Sequence, residues 1–161
     1  MINKIKENCN ILRKIIIYLS YKKKTAHLGS ALSCADILSI LYFKYLKINQ
    51  KNFKNKKRNY FILSKGHAAS ALYGCLFMKK IITKKQLLSY SDKDSIIEEH
   101  PNIKIPGVEC STGSLGHGLP FGCGLALNKL IYNRKNKVYV LLSDGECNEG
   151  SVWEAAMSAS H

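Results

Sequence analysis

Val138-Tyr139-Val140-Leu141-Leu142-Ser143-Asp144-Gly145-Glu146 decides the fold. The apolar run from Val138 to Leu142 does not alternate with polar residues, which is the pattern of a strand buried on both faces of a parallel sheet. It stops abruptly at small and acidic turn residues. Upstream, Tyr60-Phe61-Ile62-Leu63 repeats the pattern in shorter form, and Ser64-Lys65-Gly66-His67 turns from it into a helix predicted to reach about Lys80. Strands alternating with helices predict an α/β fold, a doubly wound parallel sheet with flanking helices, whose ligands bind at the carboxyl ends of the strands.

The remaining segments fit around these strands. Ile2, Ile5, Cys9, Leu12, Ile15, Ile16 and Leu19 follow helical spacing, with lysines on the opposite face. After a loop at Lys24 to Ser30, Ser33 and Asp36 form an S-x-x-D pattern, read as a capping box that opens a second helix to about Leu46. The basic stretch to Asn59 reads as loop. Thr83 and Gln86 offer another capping pair, and Asp92 to Thr112, poor in periodic features, reads as a long functional loop. Leu119 to Ile131 is a predicted helix in which Gly122, Gly124 and Ala126 allow close approach to the sheet. From Glu149 a further helix pattern runs to His161 and is still continuing there.

With 161 residues and 46% hydrophobic content the chain is expected to form one domain with a real core. No apolar run is long enough for a membrane span and the first residues lack a signal-peptide pattern, so a cytoplasmic location without membrane contact is expected. Cys9, Cys34, Cys75, Cys110, Cys123 and Cys147 show no metal-type spacing and read as reduced packing residues. The net charge of +14 raises the prospect of an anionic partner. The lysines are scattered over helix surfaces and the loop Lys47 to Arg58 without interleaved aromatics, which argues against nucleic acid.

Several residues could carry chemistry. Asp144 lies where open α/β sheets bind ligands, and its carboxylate is the hard donor that Mg²⁺ prefers; a plain turn is the alternative. Gly145 lets the backbone approach a phosphate. Gly113-x-x-Gly116-x-Gly118 before a helix provides either backbone N–H groups for an anion or a flexible turn, and it is not the dinucleotide pattern. His27, His67, His100 and His117 fall in turns containing Gly or Pro, from which they could converge on one cleft. Glu149 reads equally as a functional acid or as an acid favoured by a helix start.

In wording and order these stretches resemble the N-terminal, diphosphate-binding region of transketolases, and in particular the N-terminal subunits of transketolases split into two chains. The resemblance runs from Leu12 to His161. It rests on Ala26-His27-Leu28-Gly29, Leu63 to Ala68, His100-Pro101, Thr112 to Gly118, and Ser143-Asp144-Gly145-Glu146-Cys147-Asn148-Glu149-Gly150. It implies a thiamine-diphosphate-binding fold in which residues 1–161 form the N-terminal part of that domain, incomplete at the C-terminus. Thiamine diphosphate and Mg²⁺ are the implied cofactors. Asp144 would bind the metal, and Gly145 would give the diphosphate a backbone N–H. Gly113, Ser114 and Leu115 would lie along the cofactor, with Leu115 against its thiazolium, and His67 would touch it. His27 and His100 would face a sugar phosphate and help move protons as a two-carbon ketol unit is transferred. Glu149 would sit near the interface with a pyrimidine-binding domain.

That domain, a separate C-terminal subunit in the split enzymes, is the implied partner, because it supplies the glutamate that activates the cofactor. A homo- or hetero-oligomer follows. Ser143 stands where the family usually has glycine and His117 where many relatives have glutamine. The family's second metal-binding asparagine would fall after His161, so the isolated chain is expected to be inactive. Two other readings stay open: a subunit similar to 1-deoxyxylulose-5-phosphate synthase, and a non-catalytic relative that dimerises or binds phosphates without turnover.

Overall fold

The computed structural model describes residues 2–161. Helix α1 (Ile2–Lys23) buries Cys9, Leu12, Ile16 and Leu19, a stripe at spacings of three and four, and carries Lys22 and Lys23 in its last turn, where cations suit the helix dipole. Helix α2 (Leu28–Ser33) and helix α3 (Ala35–Ile40) follow, the latter running on as a π-helical turn at Leu41–Tyr45. Strand β1 (Tyr60–Leu63) leads through a 3-10 turn at Gly66–Ala68 into α4 (Ala69–Met78). A short α5 (Lys84–Leu88) starts at a complete capping box between Thr83 and Gln86, as the sequence predicts. The long stretch to Thr112 is irregular, followed by α6 (Gly118–Ile131), β2 (Val138–Leu141), a 3-10 turn at Gly145–Asn148 and α7 (Gly150–Ser160).

The strands pair in parallel, with Tyr60 opposite Val138 and Leu63 opposite Leu141. Side chains alternate across the sheet, so each face can be assigned. Phe61, Leu63, Tyr139 and Leu141 belong to the large core shared with α1, α3 and α4. On the other face α6 rides so close that a Cβ on Gly122 would come within 2.5 Å of Val140 and close to Ile62 and Val138. Helices therefore flank both faces of a parallel sheet, the predicted α/β arrangement. Among the described residues no helix is long and apolar enough to cross a membrane.

Three local expectations fail for stated reasons. Ser33 and Asp36 do not form a capping box. The Ser33 hydroxyl donates back to the Ser30 carbonyl at 2.8 Å, Cys34 breaks the helix with φ −103° and ψ 3°, and the Asp36 carboxylate pairs with Arg13 of α1 at 2.6 Å. A long-range ion pair thus takes the acid that a local cap would need. Gly124 has nothing within 4 Å of a Cβ, so it takes no part in the close helix–sheet contact that Gly122 makes. Cys9, Cys34 and Cys75 are buried packing residues, but Cys110 and Cys123 are half-buried and Cys147 is exposed, so packing explains only part of the cysteine set.

Ahead of β1 the chain is fixed by Arg58. Its guanidinium pairs with Glu109, donates to the carbonyls of Phe53 at 2.7 Å and Asn59 at 3.0 Å, and stacks on Tyr60. Burial pushes the Glu109 carboxyl up from its usual range, and the adjoining guanidinium opposes that rise.

Candidate functional site

The carboxyl ends of β1 and β2 carry the turns that the sequence singles out. Past Leu63 the chain tightens at Gly66, where a Cβ would meet the carbonyl carbon and oxygen of Thr112 at 2.7 Å and the Gly113 nitrogen at 2.8 Å. Glycine there lets the backbone of one loop lie against the backbone of another. The Thr112 hydroxyl donates to the Leu63 carbonyl at 2.7 Å, so the same two loops are also bonded.

This contact brings the histidines together. The rings of His27 and His67 lie 5.4 Å apart and those of His27 and His100 6.3 Å apart. Gly113 faces His100, whose Cδ2 is 3.1 Å from where a glycine-replacing Cβ would stand. His27 is held with φ 67° and ψ 16°, the left-handed region that few non-glycine residues occupy and that concentrates at functional sites. Tyr73, whose phenol burial pushes far up and so keeps protonated, donates to the His100 carbonyl at 2.9 Å. Burial lowers the His67 pKa from its ordinary value, helped by the charges of Lys65, His27 and His100 and opposed by Glu146. His67 is thereby biased toward the neutral imidazole, with one donor and one acceptor nitrogen.

A cleft of about 750 Å³ opens beside this cluster, lined in part by His100, Thr112, Gly113, Ser114 and His117. His117 thus reaches the cleft, as its place among the turn histidines allows, although the family resemblance gives it no role of its own. Asp144 follows the carboxyl end of β2, its carboxylate exposed and without a protein partner among the described residues. Gly145 has open space above its Cα. Glu149 is exposed in extended conformation at the start of α7, makes no capping bond, and packs its Cβ and Cγ beside Gly116. Leu115 is half-buried and Ser114 exposed on the same loop.

The glycine loop is more selective than its spacing suggests. The Gly116 N–H donates to Glu146 at 2.9 Å and the Gly118 N–H to Ser64 at 3.0 Å, so both are spent inside the protein. Among the described residues the N–H groups of Gly113, Ser114 and Leu115 have no protein acceptor. Glu146 and Ser64, fully buried at the junction, are the site residues that sequence reasoning missed. The signal was an acid and a serine inside two of the quoted motifs, but nothing local tells which polar residue of a turn goes inward.

These features define a class: an α/β domain whose ligand loops gather at the carboxyl ends of parallel strands. Within that class the chain belongs to the transketolase family, since the model of the transketolase thiamine diphosphate binding domain matches residues 5–161. An apulose-4-phosphate transketolase subunit from Phocaeicola vulgatus is 41% identical over 146 residues, covering 91% of this chain and 52% of that protein. The 6-deoxy-6-sulfo-D-fructose transketolase subunit SqwG of a Clostridium species is 33% identical over 156 residues, covering 96% and 57% respectively. Transketolase of Pichia stipitis, crystallised with sedoheptulose-7-phosphate, superposes with a TM-score of 0.90 at 28% identity over 98% of this chain and 25% of its own. The chain therefore spans about half the length of the two subunits.

Proposed function

We propose that this chain is the diphosphate-binding component of a transketolase that moves two-carbon ketol units between sugar phosphates, using thiamine diphosphate and Mg²⁺ and a pyrimidine-domain partner. The gathering of His27, His67 and His100, with His100 set against Gly113, carries the reading. It is supported by relatives that are themselves named as transketolase subunits.

The residues present fit the diphosphate and supply one ligand for Mg²⁺. The unspent N–H groups of Gly113, Ser114 and Leu115, with the uncovered Gly145 backbone, suit an anionic diphosphate. Asp144 offers a free hard oxygen to Mg²⁺. The bound thiamine would supply the electron sink for the carbon–carbon cleavage. This chain's own side chains do the rest. His27 and His100 donate ring N–H bonds to the sugar's oxygens and exchange protons with them through imidazole nitrogen, at positions set by the strained His27 backbone and the Tyr73 bond. His67, biased toward the neutral form, would hold the cofactor without placing a full positive charge there, and Leu115 would give it an apolar contact. Glu149 faces the partner across the start of α7. The free cysteines fit a reducing compartment such as the cytoplasm.

Titration with thiamine diphosphate and Mg²⁺, with and without a pyrimidine-domain partner chain, tests the reading. The pair is expected to bind the cofactor and transfer ketol units, and the chain alone to bind weakly without turnover. In the pair, Asp144→Ala should abolish Mg²⁺-dependent binding, whereas His100→Ala should keep binding and lower kcat roughly 10²-fold or more. Normal binding by Asp144→Ala, or ketol transfer by the chain alone, would overturn the assignment.

A further inference from the structure

Glu146 has no exposed surface, yet its carboxylate accepts from donors in three separate turns. Oε1 accepts from the Ser64 hydroxyl and from the Gly116 N–H at 2.9 Å, and Oε2 accepts from the Ser143 N–H at 3.1 Å. Ser64 in turn accepts from the Gly118 N–H at 3.0 Å, so the hydroxyl relays the glutamate's hold to a second point of the glycine loop. Gly116, at φ +81°, has no room for a side chain: a Cβ would meet Ser151 at 2.4 Å and Glu149 at 2.9 Å, and its carbonyl takes the Ser151 hydroxyl at 2.9 Å. The loop is therefore pinned along its second half and left unspent along its first.

We infer that Glu146 is a positioning residue that sets the glycine loop and the Asp144 turn relative to each other, so that the free N–H groups of Gly113 to Leu115 and the Asp144 carboxylate are held ready for one diphosphate. The inference deepens the functional reading above and rests on it. The physical case is that of a buried acceptor: the carboxylate oxygens accept every one of these bonds, and each comes from a donor in the turn it must fix. Preorganised donors bind an anion without the cost of ordering the loop at the moment of binding, so the effect falls on affinity more than on turnover. Glu146 touches neither histidine of the proposed substrate side in these bonds, which separates it from the residues that move protons.

Two measurements test this. In the chain without any cofactor, amide hydrogen exchange should speed up at least roughly 10-fold in Glu146→Gln, whose amide can accept on one side only, either at Ser143 or at Gly116 and Gly118 according to the side that loses its acceptor, and at Gly118 alone in Ser64→Ala. In the active pair, Glu146→Gln should raise the KM for thiamine diphosphate roughly 10-fold, Glu146→Ala more, and both should leave kcat at saturating cofactor within about threefold. Glu109→Ala, which removes a half-buried, ion-paired carboxylate outside the site, should lower thermal stability while leaving the cofactor KM unchanged at a temperature where every variant is folded. Should Glu146→Ala fail to fold, the glutamine and Ser64 variants still decide. A wild-type pair that binds no thiamine diphosphate would overturn the functional reading. A wild-type pair that binds it while Glu146→Gln matches its exchange and its KM would overturn this inference alone, as would a loss of kcat equal to the loss of affinity.

Discussion

The helical layer built from α1, α3 and α4 and the layer built from α6 and α7 contain similar apolar residues with opposite fates. Leu12, Ile16 and Leu19 of α1 are completely buried, while Leu130 and Ile131 of α6 are 69% and 70% exposed. The difference lies in what each helix has on its second side. Helix α4 is buried on almost its whole circumference because α1, α2, α3 and α5 surround it, whereas α6 touches the sheet along Gly122 and leaves Leu127, Leu130 and Ile131 uncovered. Large apolar side chains exposed side by side in this way often mark a contact surface. Burial in this molecule follows the number of neighbours an element has, and hydrophobicity alone does not foretell it.

The comparison can be broken most directly in the first layer. Leu12→Ala should cost about 2–5 kcal/mol of unfolding free energy in urea, the usual range for a buried leucine whose cavity cannot collapse. A cost below about 1 kcal/mol would show that α1 is less firmly seated than its burial implies. The next effect sharpens the contrast, since the second layer also has one tight contact. Gly122→Ala pushes a methyl into Val140 and should cost about 1–3 kcal/mol by overpacking, seen in the same denaturation experiment.

A smaller effect depends on pH. Because the folded pKa of His67 is lowered below 6.5, the unfolded chain binds its proton more readily, so the His67 contribution to stability is full above about pH 6.5 and is lost as the pH falls through the folded pKa. Unfolding curves of wild type and His67→Asn should therefore differ in their acid dependence, the wild type losing more stability between about pH 7 and 5. The smallest effect belongs to the exposed face: Leu130→Ala should change stability by no more than about 0.5 kcal/mol. A cost matching that of Leu12→Ala would mean that the face is covered in solution.

What the sequence reveals follows the range of the interactions involved. The strands Tyr60–Leu63 and Val138–Leu141, the Thr83–Gln86 cap and helix α6 are legible because each is decided by neighbours a few residues away. The gathering of His27, His67 and His100 is legible through topology only for His67, whose turn follows β1 at the strands' carboxyl edge, since His27 precedes α2 and His100 lies in the irregular stretch after α5. Glu146 was not, because its partners Gly116 and Ser64 lie 30 and 82 residues away and no periodicity links them. The same distance effect misled the reading of Asp36, whose partner Arg13 is 23 residues upstream on another helix.

The parallel pairing of β1 with β2 has a further consequence for how the molecule comes into being. The bond from Lys137 to Asn59 beside the pair joins residues 78 apart, so the sheet is a contact that an emerging chain must wait for. Helix α1 can dock on α4 once the first half has been synthesised, and His27 can then meet His67. Long-range closure of this kind is slow because chain entropy must be lost before the contact rewards it. During synthesis the histidines should therefore meet well before Asp144 arrives, which makes the proposed diphosphate-binding turn the last part of the proposed site to be assembled and the part whose refolding added cofactor would most assist.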